Sequence, residues 1–164
     1  MRRKSRQGAT LATDPLIKEI YIDAPSSVVF QFLIDPVKMI RWMGIQAEID
    51  PRPGGMYRLD PNGRDVIRGE YLEVIPTSRV VFTWGWEKPS PDMPAVPGGS
   101  TTVEIDLLAE GTGTRVRLTH RQLPADASER HEIGWAHYLG RLKTISEGSE
   151  PGLDPYANLS VRHG

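Results

Sequence analysis

The longest helical pattern of the chain lies in residues 126–148, which have the sequence DASERHEIGWAHYLGRLKTISEG. This stretch restricts the possible folds of the chain more than any other. Their apolar side chains recur three and four positions apart, which is the spacing of one face of an α-helix. A helix of roughly 20 residues is about 30 Å long and can cover a sheet of several strands. The pattern therefore predicts one long C-terminal helix with an apolar stripe formed by Ile133, Trp135, Tyr138, Leu139, Leu142 and Ile145.

The residues before this helix follow the two-residue period of β-strands. Residues 101–108 and 115–120 alternate apolar and polar side chains on either side of a turn at 110–113, which predicts a hairpin with one buried face. Further strands are expected over 16–22, 45–50, 56–60, 66–75 and 79–86. In the hairpin, the side chains predicted to point inward are Val103, Ile105, Leu107, Val116, Leu118 and His120.

Between the first and second strands the chain has helical character. Residues 28–34 predict a short apolar helix, and Asp35-Pro36 begins a second one that carries Trp42 and ends at Gly44. Two short helices cannot cover a sheet of six or seven strands, whereas the C-terminal helix can. The sequence therefore predicts an α+β fold, in which a curved antiparallel sheet of six to seven strands wraps around the long C-terminal helix.

Length, charge and composition exclude several classes of protein. The chain has 164 residues, no cysteine and a formal net charge of −1, so disulfides, thiolate metal sites and cysteine nucleophiles are excluded. The balanced charge predicts no nucleic-acid partner, and no apolar run is long enough to predict a membrane span. We expect a cytoplasmic protein with a basic tail over 1–13, one domain over 14–148 and a C-terminal tail over 149–164.

The inward face of the predicted sheet and helix is unusually rich in aromatic and imidazole rings. Large rings can fill a solid core, or they can line a cavity for a small molecule. Gly134, beside Trp135, is expected to let the helix approach another element closely. The residues predicted to line a cavity are Trp84, Trp86, His120, His131, Trp135 and Tyr138, with Phe30, Trp42, Tyr57 and Phe82 as neighbours.

Signals for catalysis are weak in this sequence. The histidines lack the spacing of a zinc site, and the Gly-Gly pairs lack the residues of a phosphate loop, so we expect no metal and no cofactor. His120 and Glu70 are candidates for a general acid or base. The proline-rich loop over 87–100 is expected near the mouth of the cavity, where it would act as a gate.

Several motifs together resemble the START-like superfamily, and within it the branch of the activator of heat-shock protein ATPase homologue. These are APSSVVF at 24–30, DPRPGGMY at 50–57, GEYLEVIP at 69–76, RVVFTW at 79–84 and HEIGW at 131–135 followed by Tyr138-Leu139. The resemblance spans roughly residues 16–146. It implies a helix-grip fold with a cavity between sheet and helix, and it carries over no shared catalytic residues.

Three functions stay open at this point. The first is a binding module for an apolar or aromatic small molecule. The second is an enzyme of cyclase or dehydratase type that acts on a small carbonyl or polyketide-like substrate. The third is a protein-interaction module, either a homodimer or a chaperone partner, although chaperone binding by the family's namesake also uses a separate N-terminal domain that residues 1–15 do not resemble.

Overall fold

The computed structural model of the protein describes residues 14–88 and 95–157. The predicted basic tail over 1–13 lies outside the described residues, as do residues 89–94 of the predicted gating loop. The elements in chain order are β1 (Leu16–Ile22), α1 (Ser26–Ile34), α2 (Pro36–Met39), β2 (Gln46–Ile49), β3 (Met56–Asp60), β4 (Ile67–Ile75), β5 (Arg79–Trp84), β6 (Thr101–Glu110), β7 (Gly113–Arg121) and α3 (Ala125–Ser146).

Seven strands form one open, curved antiparallel sheet in the order β1-β7-β6-β5-β4-β3-β2. All neighbours except β1 and β7 follow each other in sequence, and the chain closes this pair by placing Leu16 opposite His120. The two short helices lie between β1 and β2 along the chain, and α3 follows the last strand. The predicted α+β fold with a sheet around a C-terminal helix is confirmed.

The alternation predicted for the β6–β7 hairpin is confirmed by burial. The six side chains predicted to point inward are at most 4% exposed. On α3, the side chains of Trp135, Tyr138, Leu139, Leu142 and Ile145 are buried as predicted, whereas Ile133 is 56% exposed. The stripe was wrong there because two positions of a helix turn the side chain about 200° away from Trp135.

Two predicted elements are shorter than expected. The second helix ends at Met39, after which Arg41 and Trp42 donate backbone hydrogen bonds three residues back, to Lys38 and Met39, in a tight turn. The strand predicted over 79–86 ends at Trp84, and Trp86 makes only isolated bridges to Ile67 and Pro97.

Gly85 explains why the chain can make this transition between Trp84 and Trp86. A Cβ atom at this position would lie 1.8 Å from the carbonyl oxygen of Pro97, so only glycine allows the two segments to pack so closely. The backbone N–H of Trp86 in turn donates to the carbonyl of Val96 at 2.7 Å. This contact positions Trp86 beside the end of β5.

The described part of the predicted C-terminal tail packs against the domain. Glu150 pairs with Arg41, and the carbonyl of Pro151 accepts a hydrogen bond from Arg141 of α3. Asp154, which is almost fully buried, accepts a hydrogen bond from His137 Nε2 at 3.0 Å. Residues 149–157 therefore form a C-terminal segment that lies along α3.

Candidate functional site

A cavity of about 480 Å³ lies between α3 and the β3–β5 end of the sheet. One wall comes from Ile67, Trp84 and Trp86, and the facing wall from residues 130–138 of α3. The loop between β3 and β4 and the C-terminal segment also contribute lining residues. The lining residues are Met43, Pro61, Asn62, Arg64, Asp65, Ile67, Trp84, Trp86, Arg130, His131, Ile133, Gly134, Trp135, Tyr138 and Tyr156.

Trp84 is the centre of the aromatic wall. Its ring centroid lies 5.0 Å from that of Trp135, 5.8 Å from His120, 6.3 Å from His131 and 6.4 Å from Trp86. The ring pairs are tilted or edge-on, which are favourable arrangements for aromatic contacts. These rings therefore pack against each other, and the cavity lies beside this packed cluster.

The His120 ring is held by hydrogen bonds on both of its nitrogens. Trp135 Nε1–H donates to His120 Nδ1 at 3.0 Å, and His120 Nε2 lies 2.8 Å from the hydroxyl oxygen of Thr101. An indole can only donate, so Nδ1 must accept and the ring proton must sit on Nε2. The Thr101 hydroxyl then accepts from His120 and donates to the carbonyl of Trp84 at 2.7 Å.

His131 is fixed in the same manner with the opposite tautomer. Trp84 Nε1–H donates to His131 Nε2 at 3.3 Å, and Nδ1 lies 2.9 Å from the carbonyl oxygen of Ala127. Because that carbonyl can only accept, Nδ1 carries the proton. Both imidazole rings therefore have every nitrogen engaged inside the protein.

The same surroundings keep both histidines neutral. Burial, with the nearby His131, lowers the pKa of His120 to about 3. Burial also lowers the pKa of His131, and the positive charge of Arg130 adds to this, against the opposing hydrogen bond to Ala127. Protonating either ring would place its new N–H against an indole N–H. This hydrogen-bond geometry favours the neutral ring, in agreement with the lowered pKa values.

At the other end of the cavity, Tyr138 and Tyr156 lie close to Asp154. Asp154 Oδ1 accepts from His137 Nε2 and from the backbone N–H of Tyr156, each at 3.0 Å. Burial raises the pKa of the Tyr138 hydroxyl, and the negative charge of Asp154 raises it further. Tyr138 is therefore a protonated hydroxyl at neutral pH and can donate a hydrogen bond.

Asn62, which is buried, organises the loop between β3 and β4 through local hydrogen bonds. Asn62 Oδ1 accepts from the backbone N–H groups of Arg64 and Asp65 at 2.9 and 2.8 Å. Its amide donates to Asp65 Oδ2 at 2.8 Å, and Asp60 Oδ1 accepts from the backbone of Asn62 and Gly63. These bonds give the loop a defined shape at the rim of the cavity.

The structure separates the ten predicted ligand-binding residues into two groups. Five of them line the cavity: Trp84, Trp86, His131, Trp135 and Tyr138. His120 lies behind this wall with its side chain fully buried, and Phe30, Trp42, Tyr57 and Phe82 belong to the core. Tyr57 and Phe82 stack at 4.0 Å and continue the row of rings away from the cavity.

The two predicted acid–base candidates do not face the cavity. Glu70 is exposed, and its backbone N–H donates to Thr83 on the neighbouring strand. His120 has no lone pair left for a substrate because Trp135 and Thr101 occupy both ring nitrogens. The two residues are therefore not brought together in one site.

Sequence reasoning missed much of the rim. Pro61-Asn62-Gly63 predicts only a tight turn, whereas the structure has a shaped loop over 61–65 that is organised by the local hydrogen bonds of Asn62. Gly134 was expected to allow close packing, yet a Cβ at this position would meet no atom within 4 Å. That expectation was wrong because Gly134 borders the cavity.

Within the described residues, no group of three or more potential ligands could hold a metal ion. No helix of residues 14–88 or 95–157 is long and apolar enough to cross a membrane.

Comparisons with known proteins agree with this architecture. A family model described as Activator of Hsp90 ATPase homolog 1-like protein matches residues 23–147. The AHSA1-like protein RHE_CH02687 from Rhizobium etli is 43% identical over 88% of both chains, with a TM-score of 0.69. CalU16 from Micromonospora echinospora is 25% identical over 92% of this chain and 83% of its own, with a TM-score of 0.68.

A more distant structure shares the fold alone. The Aha1 dimer from Colwellia psychrerythraea is 20% identical over 84% of this chain and 98% of its own, with a TM-score of 0.70. No curated protein matches the chain.

Proposed function

The chain belongs to the family of Activator of Hsp90 ATPase homolog 1-like proteins, and from that membership we propose that it binds an apolar or aromatic small molecule in the cavity between the sheet and α3. The observation that carries the proposal is the cavity itself, which measures about 480 Å³. Pockets for small molecules typically measure about 300–1,000 Å³, and they are apolar with a few polar groups. The aromatic wall around Trp84 has this character.

The rigidity of the wall also supports binding. Trp84 and Trp135 are held by their indole hydrogen bonds to His131 and His120, so neither ring is free to turn into the empty space. A cavity with fixed walls costs a ligand little ordering of the protein, which favours affinity. The five predicted residues that line it are the ones we propose to contact the ligand.

An enzyme that uses His120 or Glu70 gains no support from this geometry. A general base needs a lone pair within reach of the substrate, and the nitrogens of His120 and of His131 are already engaged. Glu70 lies on an exposed surface away from the lining residues. The cyclase or dehydratase hypothesis would therefore have to use other residues of the cavity.

Two other predictions remain predictions. The relative from Colwellia psychrerythraea is a dimer, and the family takes its name from an activator of a chaperone ATPase. Measuring the mass of the protein in solution, and testing chaperone ATPase stimulation, would address them separately.

The proposal is tested with a neutral apolar probe and a cavity-filling variant. N-phenyl-1-naphthylamine is titrated into the full chain, and its fluorescence reports entry into an apolar site. We expect saturable binding at one site per chain, and at least about tenfold weaker binding, or roughly 1.4 kcal/mol, in Gly134→Leu. Gly140→Leu is the matched control, because Gly140 lies on the same helix with equally open space but does not line the cavity.

Two results would contradict the proposal. One is the absence of saturable binding to the unchanged protein, and the other is an equal loss of binding in Gly134→Leu and Gly140→Leu. Native mass spectrometry of the protein purified from its own source provides an independent measurement. There we expect a small molecule to accompany the protein, and to be reduced or absent in Gly134→Leu.

A further inference from the structure

Gly134 is a glycine in the interior of α3 that packing does not require. A Cβ atom at this position would meet no atom within 4 Å, and Gly134 lines the cavity. Glycine inside a helix is destabilising relative to alanine, and it is useful where another group must approach the backbone closely. Among the described residues no atom makes this approach, and the space beside Gly134 belongs to the cavity.

The residues one turn before and after Gly134 make this position a notch in the helix surface. Arg130 and Tyr138 lie four residues to either side of it, which places all three on the same face of α3. Both residues also line the cavity. Arg130, Gly134 and Tyr138 therefore form the Gly134 notch, in which two side chains flank a stretch of bare helix backbone.

Aromatic rings with fixed positions lie across the cavity from the notch. Trp84 donates to His131 through its indole, and the backbone N–H of Trp86 donates to the carbonyl of Val96. The Trp86 ring is tilted by 58° against that of Trp84 and by 43° against that of His131. A ligand in this part of the cavity therefore meets both faces and edges of rings, and another aromatic ring interacts favourably with each.

The two walls of the cavity touch each other along one side of the notch. The ring centroid of Trp84 lies 5.0 Å from that of Trp135 and 6.3 Å from that of His131. Trp135 follows Gly134 directly in the chain, and His131 precedes it by three residues. Where the walls touch there is no room for a ligand, so the space beside Gly134 narrows towards Trp84. A space that narrows in this way fits a flat ring better than a thick one.

We infer that the cavity selects flat aromatic ring systems and that Gly134 sets this selectivity, an inference that rests on the function proposed above. One face of the ligand lies against the backbone of α3 in the Gly134 notch, and its rings contact Trp84 and Trp86. A saturated ring system with the same carbon skeleton is thicker, so it would be held further from the backbone. A linear aliphatic chain would enter the cavity, but it would make no ring contacts and would lose more conformational freedom on binding.

Three alcohols with the same number of carbon atoms separate flatness from hydrophobicity. 1-Naphthylmethanol is flat, its decahydro derivative has the same skeleton in saturated form, and 1-undecanol is linear. Each alcohol displaces N-phenyl-1-naphthylamine from the full chain, and the loss of fluorescence gives its affinity. We expect 1-naphthylmethanol to bind at least about tenfold more tightly than the other two. Hydrophobicity alone predicts the reverse order, because the saturated alcohols expose more apolar surface to water.

Gly134→Ala tests the notch with a single methyl group. It is expected to weaken binding of 1-naphthylmethanol by at least about tenfold, because the methyl group separates the ring from the backbone. Binding of 1-undecanol should change by less than about twofold, since a flexible chain bends around the methyl group. Gly140→Ala is the matched control, because Gly140 has the same open surroundings on α3 but does not line the cavity. The affinity of N-phenyl-1-naphthylamine and the thermal denaturation are measured for each variant.

The outcomes separate this inference from the proposed function. If N-phenyl-1-naphthylamine binds in a saturable manner and 1-naphthylmethanol binds no more tightly than the other alcohols, the inference is wrong and the proposed function stands. The inference is also wrong if Gly140→Ala weakens binding of 1-naphthylmethanol as much as Gly134→Ala does, or if Gly134→Ala weakens binding of 1-undecanol to the same extent. If N-phenyl-1-naphthylamine does not bind in a saturable manner, both proposals fail together.

Discussion

Two indole–imidazole pairs link the sheet to α3 and keep buried histidines neutral. Trp135 donates to His120, and Trp84 donates to His131, so each pair joins one residue of the helix to one residue of a strand. The unfolded chain has no such constraint, and its histidines titrate near pH 6.5. The difference between the two states makes stability depend on pH.

Stability should fall below pH 6.5 because of these histidines. Their pKa values are lowered in the folded protein, so the unfolded state binds more protons as the pH drops. The stabilisation is complete above about pH 6.5 and is lost as the pH falls toward about 3 for His120. Urea denaturation at pH 7 and pH 5 measures this, with an expected loss approaching roughly 1.4 kcal/mol per pH unit below pH 6.5 for His120 and a further loss in the same direction for His131.

His120→Gln isolates one of the two contributions. This variant is less stable at pH 7, but its free energy of unfolding should change less between pH 7 and pH 5 than that of the unchanged protein. The carboxyl groups with shifted pKa values, such as Glu87 and Glu147, have them lowered and titrate below this window. An unchanged pH slope in His120→Gln would show that His120 is not the group responsible.

Gly85 and Gly134 are two glycines with different surroundings. Gly85 lies where the end of β5 meets residues 96–97, and Gly134 lies in the middle of α3 beside the cavity. At Gly85 a side chain would collide with backbone, whereas at Gly134 the space is open. The same substitution is therefore expected to change the stability of the protein in opposite directions at the two positions.

We expect Gly85→Ala to destabilise the protein by about 2 kcal/mol or more, because its Cβ would lie 1.8 Å from the carbonyl of Pro97 and the strand end must shift. Gly134→Ala should stabilise it by about 0.5–1 kcal/mol, since alanine is the better helix former and meets nothing. Thermal and urea denaturation measure both changes. Equal effects of the two substitutions would contradict the packing described around Gly85.

The lining of the cavity comes from parts of the chain that are far apart in sequence. Strands β4 and β5, helix α3, the loop at 61–65 and the C-terminal segment over 149–157 each contribute lining residues. The C-terminal segment brings Tyr156, whose ring lies 4.8 Å from His137 and 6.0 Å from Tyr138. Tyr156 therefore closes the Tyr138 end of the cavity.

Removing the Tyr156 ring should weaken ligand binding. Tyr156→Ala is expected to weaken binding of N-phenyl-1-naphthylamine by about three- to tenfold, mainly through faster dissociation, with a loss of stability below about 1 kcal/mol. Stopped-flow fluorescence measures the dissociation rate. Leu153→Ala is the matched control, because Leu153 belongs to the same segment but is 83% exposed and does not line the cavity. A similar effect of both variants would exclude a specific role for Tyr156.

Local patterns were sufficient to predict the strands, the long helix and most of the buried faces. The alternation of Val103, Ile105 and Leu107 and the spacing of Trp135, Tyr138 and Leu142 depend only on the geometry of a strand or a helix. Burial of one face then requires a sheet that covers a helix. Ile133 was assigned to the buried stripe for its hydrophobicity, although it lies two positions from Trp135 and therefore about 200° around the helix, and it is exposed.

Local sequence patterns do not predict which rings pack solidly and which border empty space. This depends on how the strands and helices pack in the tertiary structure. His120 and His131 were both predicted to line the cavity, yet His120 on β7 lies behind the wall with both nitrogens bonded to Trp135 and Thr101, whereas His131 on α3 borders the cavity. Tyr156 and Asn62 reach the same cavity from a segment and a loop whose paths no local periodicity encodes. Long-range packing controls volume, and volume is what separates a core from a binding site.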